Sequence, residues 1–296
     1  MNTLHIVISD FNGFARTRRC LQALDASEFR QFTVIVVDHG TSEDTRIGLM
    51  REFPTVVRVA APAELWWAGA MNCGIRYALD HGADAVILLN NDCYVERDAL
   101  GELVRQAGQK PGAIIAPVQR DWQSGKVLVL APGSCFLLGF PTLRGDCQLT
   151  PELRERGAIP VRLIVGGRGV LIPAAVLRSV GEFDEVRLPH YGADHDFYLR
   201  ARRQGVRLYT ATRALVNMDN TSTTLAEDPS VLGVSAFLQT LKSPRSHRNW
   251  NDAVALFRKH YPIPPLYLLG VVLFTGRYVL GYVIRRVLFL VRKRLA

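Results

Sequence analysis

Short runs of unbroken apolar residues, each cut off by a polar cluster, constrain this chain more than any other feature. Leu4–Ile8 ends in Ser9-Asp10-Phe11-Asn12-Gly13, Phe32–Val37 in Asp38-His39-Gly40-Thr41-Ser42, and Ala85–Leu89 in Asn90-Asn91-Asp92. A further strand is read over Val56–Ala60. Helical patterns lie between the runs: Cys20, Leu21 and Leu24 recur at helical spacing, and a second helix extends from about Ala68 to His81, closed by Gly82. Continuous apolar strands alternating with helices predict a parallel sheet buried on both faces. Such sheets bind ligands at the carboxyl ends of their strands, where the three polar clusters fall. One such cluster is what any turn needs. Three at one sheet edge favour a nucleotide site.

Residues 112–165 mix short strand-like pieces with Gly, Pro and charge. A Gly166-Gly167-Arg168-Gly169 turn then precedes an apolar strand, and a helix over Ala174–Val180 leads to Gly181-Glu182-Phe183-Asp184. The stretch Tyr191-Gly192-Ala193-Asp194-His195-Asp196 opens onto a helical segment, Phe197–Gln204. After it, a strand over Val206–Ala211 carries the chain to Met218-Asp219-Asn220-Thr221-Ser222. The 296 residues suffice for one large α/β domain with an appendage. Five scattered cysteines form no CxxC pair or zinc spacing, so thiols in or near a reduced core are expected. With no charged leader before the first strand, the body is expected in the cytoplasm.

The net charge of +9 suggests a nucleic-acid partner until it is located. No acidic residue follows Asp252, whereas Arg258, Lys259, Arg277, Arg285, Arg286, Arg292, Lys293 and Arg294 are basic, which leaves the first 252 residues near +1. A nearly neutral body argues against nucleic acid. Basic residues set among Leu, Val and Phe suit an anionic membrane surface. Leu266–Ile284 approaches the length of a spanning helix but carries Arg277 and three glycines. One or two amphipathic helices lying in the interface from about residue 262 are therefore expected. The alternatives are a spanning helix and burial in a homo-oligomer.

Asp194 and Asp196 precede a helix, where carboxylates are favoured electrostatically. The same pair suits general-base chemistry, one carboxylate taking the proton of an attacking hydroxyl. Asp92, at the end of a buried strand, suits a divalent cation bridging two phosphates, since Mg²⁺ and Mn²⁺ take oxygen ligands shared with the substrate. Trp66 and Trp67 can stack on a sugar or base, or pack in the core.

Five stretches carry a family resemblance. Val36–Thr45 is similar to VVDNGSTDGT, Trp66–Gly74 to G(F/W)AGGNN-x-G, and Leu88–Asp92 to LLNND. Val180–Glu185 is similar to VGGFDE, and Gly192–Arg200 to GEDxDLxxR. In this order they resemble family 2 glycosyltransferases, inverting nucleotide-sugar enzymes of the GT-A fold, from about residue 4 to 225. The resemblance implies a Rossmann-like, mostly parallel α/β sheet flanked by helices in residues 1–225, and a helical region with an amphipathic tail in 226–296. It implies a nucleotide-sugar pocket of Ser9, Asp38, Trp67, Gly69, Asn72, Asn90, Asn91 and Asp92. Asp194 aligns with the family's base, supported by Asp196 and Arg200, and Gly167 lies in the loop beside sugar and acceptor.

Three departures stand out. Ala193 replaces the family's Glu, His39 replaces its Asn, and no histidine metal ligand precedes the Ser/Thr-rich turn, where Asp219 is the available substitute for holding the cation with Asp92. Members with the LLNND form are often rhamnosyltransferases, so a dTDP- or UDP-sugar donor, dTDP-rhamnose first, and a glycan or lipid-linked acceptor are expected. That places the chain peripherally at the cytoplasmic face of the inner membrane. A nucleotidyltransferase would need a Gly-rich basic loop where Ser9–Gly13 stands. The alternative of a catalytically degenerate, membrane-bound scaffold has the retention of Asp38, Asp92, Asp194 and Asp196 counting against it.

Overall fold

A computed structural model describes residues 3–143, 145, 148–219 and 231–295, with side chains to 291. Strands β1 (Leu4–Asp10), β2 (Thr33–Asp38), β3 (Val57–Ala60) and β4 (Ala85–Asn90) alternate with helices α1 (Phe14–Asp25), α2 (Asp44–Glu52) and α3 (Trp66–Asp80). Then come β5 (Cys93–Val95), α4 (Ala99–Gln109), β6 (Ile114–Asp121), β7 (Val127–Val129), β8 (Gly133–Cys135), β9 (Phe140–Leu143), α5 (Pro151–Arg156) and β10 (Ala158–Pro160). The chain continues through β11 (Arg168–Pro173), α6 (Ala174–Val180), α7 (Ala193–Arg203), β12 (Leu208–Met218), α8 (Val234–Thr240), α9 (Trp250–His260) and α10 (Tyr267–Leu295).

The main sheet runs β10-β12-β6-β11-β4-β1-β2-β3, with β5 and β7 attached to β12 and β6. β4, β1, β2 and β3 are mutually parallel, and β11 inserts antiparallel between β4 and β6. This is an α/β fold with a mostly parallel sheet, as expected. Period-two geometry divides each apolar run between two cores. Val7, Val37 and Leu88 pack under α3, α7, α9 and α10, whereas Ile6, Ile8, Val36 and Leu89 pack under α1 and α4. Each fully buried Ile, Leu or Val stabilises the fold by about 1.5–3 kcal/mol, which explains why these strands carry no polar alternation.

Register then fixes the site edge. Asp10 pairs with Asp38, and Ser9 with both Val37 and Asn90, so the three polar clusters stand side by side. The tail is one 29-residue helix, one of the two arrangements expected, whereas α7 begins at Ala193, four residues before the expected start, so Asp194 and Asp196 lie in its first turn. The expected domain boundary at residue 225 lies outside the described residues, as do Asn220, Thr221, Ser222 and the side chains of Arg292, Lys293 and Arg294.

α3 crosses β1 at Gly74, where an added Cβ would stand 2.2 Å from a Val7 methyl and 3.0 Å from a Val37 methyl. Gly74→Val should cost at least about 1–3 kcal/mol by overpacking. Gly108→Ala in α4, where nothing lies within 4 Å, should gain about 0.5 kcal/mol. Urea unfolding followed by circular dichroism measures both.

Candidate active site

The carboxyl end of β4 meets the loop before β11 at Asn90. Its amide donates to the Gly167 carbonyl at 2.8 Å, and its Oδ1 accepts from the Trp67 indole at 2.9 Å. A Cβ on Gly167 would sit 2.7 Å from the Trp67 ring, so only glycine allows this approach. Trp66 pays for the placement of its neighbour with a strained backbone, φ +51°. Beyond Asn90, the Asp92 carbonyl accepts from the Asp219 amide at 2.8 Å, which sets the two proposed metal residues side by side at adjacent strand ends.

Across from this edge, Asp194 is 9% exposed and both its oxygens are engaged. Oδ2 accepts from the Gly166 amide at 2.6 Å, and Oδ1 from His195 Nδ1 at 3.1 Å. Burial alone would raise its pKa, but the His195 charge, the His195 hydrogen bond and the Gly166 amide bring it down to about 2. The converse holds for His195: burial disfavours its charge, but Asp194 outweighs that and raises its pKa. The His195 Nε2 also meets the Thr142 hydroxyl. Between these groups lies a cavity of about 530 Å³ whose wall includes Trp67, Asn90, Asp92, Gly167, Asp194 and His195. Its far side is closed by α9 and α10 through Phe257, Phe274 and Tyr278.

The other expected site residues stand outside that wall. Asn72 is fully buried and pairs with the Phe183 backbone, its Nδ2 donating to the carbonyl at 3.0 Å and its Oδ1 accepting from the amide at 2.9 Å. It tethers α3 to the Val180–Glu185 loop and is not placed to line a nucleotide pocket. Gly69 gives close approach to Leu65 and Glu185. Asn91 donates to Thr17 Oγ1 at 3.1 Å, and Ser9 lies within the β1–β2 and β1–β4 ladders. Asp38, at the carboxyl end of β2, accepts from Arg58 Nε at 2.7 Å.

Asp196, grouped with Asp194 from sequence, has no exposure and does not reach the cavity. It accepts from Arg200 Nε at 2.9 Å and His260 Nε2 at 2.9 Å, with Lys259 Nζ at 3.2 Å. Arg200 in turn donates to the Val180 and Glu182 carbonyls at 2.6 and 2.7 Å, so it anchors α7 rather than a sugar. Burial disfavours the Asp196 charge, but His260, Arg200 and Lys259 overcome this and hold its pKa far below the usual carboxylate range. His260 is itself lowered by burial and donates as a neutral ring.

Sequence reasoning missed two residues. Asp10 is fully buried and accepts from the Gly13 amide at 2.8 Å, from Thr45 Oγ1 at 3.1 Å and from the Thr17 hydroxyl, closing the first polar cluster into a rigid turn. Asp252, in the first turn of α9, contributes to the cavity wall.

Removing one partner of a buried charge network strands the others. Asp196→Asn should cost about 3 kcal/mol, the low end for such pairs because Arg200 and Lys259 remain a quarter exposed. A depressed carboxylate stabilises above its unfolded pKa and loses that stabilisation as pH falls through its folded pKa. The gap between wild type and variant should stay constant above about pH 5 and shrink in stronger acid, as read by denaturant midpoints across pH.

Comparison with known proteins supplies a family and a fold. Residues 5–151 match the family described as Glycosyl transferase family 2. Uncharacterized proteins of Mycobacterium bovis and Mycobacterium tuberculosis are 28% identical over 168 residues, 54% of this chain, and the match spans about half of their length, 56%. Among solved structures, GalNAc-T7 with UDP, GalNAc and Mn²⁺ superposes with a TM-score of 0.61 at 14% identity, covering 74% of this chain and 44% of that one. Staphylococcus aureus TarS 1–349 with UDP-GlcNAc gives 0.54 at 11% identity, covering 93% and 72%. Through residues 5–151 the chain belongs to glycosyl transferase family 2, and its fold is that of GT-A proteins.

Proposed function

We propose that this enzyme transfers a hexose from a nucleoside diphosphate sugar to a hydroxyl of a glycan or lipid-linked acceptor, inverting the anomeric carbon. One observation carries the reading: a buried, ionised Asp194 faces the Trp67–Asn90–Asp92 strand edge across a single cavity. The likeness to structures containing UDP or UDP-GlcNAc supports a nucleotide-sugar donor. dTDP-rhamnose remains the first donor to test, on the LLNND resemblance alone.

Asp194 takes the acceptor proton as the new glycosidic bond forms and the nucleoside diphosphate leaves from the opposite face. Because its pKa is near 2, it is ionised at every working pH. Such a weak base accepts the proton late, once bond formation has acidified the hydroxyl. His195 holds the carboxylate on one side and the Gly166 amide on the other, so the base keeps its aim without substrate. Asp92 and Asp219, adjacent through their backbones, suit a divalent cation completed by phosphate oxygens, although no group of three or more His, Cys, Asp or Glu ligands occurs among the described residues. Such an ion, when bound, would offset the charge developing on the leaving diphosphate.

The tail supports a seat on an anionic membrane. Val271, Phe274, Tyr278 and Tyr282 turn inward on α10, with Val271 and Phe274 in the main core. Val272, Val279, Leu280, Val283, Ile284 and Val287 point the other way and are 38–62% exposed. Trp250 borders a shallow groove along that outer face with Val272, Val279, Leu280 and Val283. Pro264–Val291 is long and apolar enough to cross a bilayer, but its inner face is packed on the body, which favours lying in the interface. With no acidic residue after Asp252, a second copy would bring like charges together, whereas anionic lipid headgroups complement them. We place the enzyme peripherally at the cytoplasmic face of the plasma membrane.

Two experiments test these readings. Asp194→Asn should lower sugar transfer by about 10²–10⁴-fold while calorimetry finds UDP or dTDP bound as tightly as before; unchanged turnover would remove Asp194 from the chemistry. Leu280→Glu with Ile284→Glu should abolish co-sedimentation with phosphatidylglycerol vesicles and leave melting unchanged. Self-association by light scattering, without vesicle binding, would instead assign that face to a second copy.

A further inference from the structure

Arg277 is the one charge in the apolar run Leu266–Ile284, and a guanidinium set in hydrocarbon is costly. On α10 it shares the inner face with Phe274 and Tyr278, where it is half-buried and lines the cavity. Arg285, by contrast, is exposed, as a bilayer contact requires. The guanidinium carbon of Arg277 lies 4.1 Å from the centre of the Phe140 ring, 5.0 Å from that of Tyr278 and 5.6 Å from that of Phe274. Phe274 and Tyr278 line the cavity, as do Pro141 and Thr142 beside Phe140, so the guanidinium stands at the cavity edge. Among the described residues it makes no hydrogen bond or ion pair. Three rings hold it, and its N–H groups have no protein acceptor.

Stacking fixes the plane of a guanidinium and leaves its edge free to donate. A fork held in that way matches a phosphate, which accepts two parallel hydrogen bonds and brings the opposite charge. Two arginines line the cavity, Arg168 and Arg277, and neither has a carboxylate partner among the described residues. Their places sort them. Arg168 pairs in register with Leu89 of β4 and donates to Gln119 Oε1 at 3.0 Å, so it belongs to the strand edge that carries Asn90 and Asp92. Arg277 comes from the opposite wall, on a helix whose other face is apolar and exposed. The diphosphate of a nucleotide sugar seated at Asp92 leaves Arg277 unused. Its complement is an anion on the other substrate.

We infer that Arg277 is the phosphate-binding residue at the acceptor end of the cavity, and that the acceptor is a phosphate ester whose phosphate pairs with this guanidinium. The inference rests on the transferase reading above, with Asp194 as the base. A phosphate that joins a sugar to a lipid chain suits both sides of α10, the cation inside and the apolar face outside.

The test saturates the full chain with UDP, so that the donor's phosphate site is filled, and titrates it calorimetrically with geranyl diphosphate and with geraniol. Wild type should bind geranyl diphosphate at least about tenfold more tightly than geraniol, the size expected for a charged hydrogen bond. Arg277→Gln should lose that preference. Arg277→Lys, which keeps the charge without the fork or the stack, should retain only part of it. Co-sedimentation of Arg277→Gln with phosphatidylglycerol vesicles should equal that of wild type. Equal binding of the two geranyl compounds to wild type, or an undiminished preference in both variants, overturns the inference. Loss of vesicle binding in Arg277→Gln also overturns it, by assigning the guanidinium to a phospholipid headgroup. If neither UDP nor dTDP binds wild type, the transferase reading fails, and the geranyl titrations without nucleotide still decide whether Arg277 holds a phosphate.

Discussion

The buried carboxylate of Asp196 joins two parts of the molecule that the sheet alone would not hold together. On one side, Arg200 ties it to α7 and the Val180–Glu182 backbone; on the other, His260 and Lys259 tie it to α9. The first turn of α7 carries Asp194, and α9 together with α10 closes the cavity opposite it. The relative position of Asp194 and the α9–α10 wall therefore depends on one ion cluster without exposure at its centre. Around it, apolar packing of Phe257 against Phe136, Phe274 and Tyr261 supplies the burial that makes the cluster rigid.

Much of the sheet was legible in the sequence because burial on both faces leaves an unmistakable mark. A strand such as Ala85–Leu89 can be apolar throughout only when both its faces are covered, and Asn90-Asn91-Asp92 then has to be the edge. Trp67, Asn90, Asp92, Gly167 and Asp194 do meet around one cavity. Asn72 and Asp196 defeated the same reasoning for a common reason: polar residues inside motifs were read as facing ligand, and both are satisfied by the protein. Asn72 pairs with a backbone more than a hundred residues away. No local pattern encodes that partner. Asp252 entered the sequence reading only as the last acidic residue, and its place in the cavity wall appears only once α9 folds against it.

The two cavity carboxylates show how far environment separates identical side chains. Asp194 receives a backbone amide and a histidine and stays ionised near pKa 2, whereas Asp252, whose Oδ2 has no hydrogen-bond partner, is lifted by burial to about 7. Both lie in the first turn of a helix, where the dipole favours charge. Position on the helix is therefore not what distinguishes them. Specific hydrogen bonds are.

The double face of α10 has a thermodynamic consequence. Phe274, Arg277 and Tyr278 belong to the cavity wall, with Arg277 stacked 4.1 Å over Phe140, while residues one to three positions away point outward. A rigid helix cannot turn one face without turning the other. A surface that preferred one setting of α10 would therefore change the affinity of this end of the cavity, and an occupied cavity would change the grip on that surface by the same factor. The helix is a shared degree of freedom between its outer face and the cavity wall.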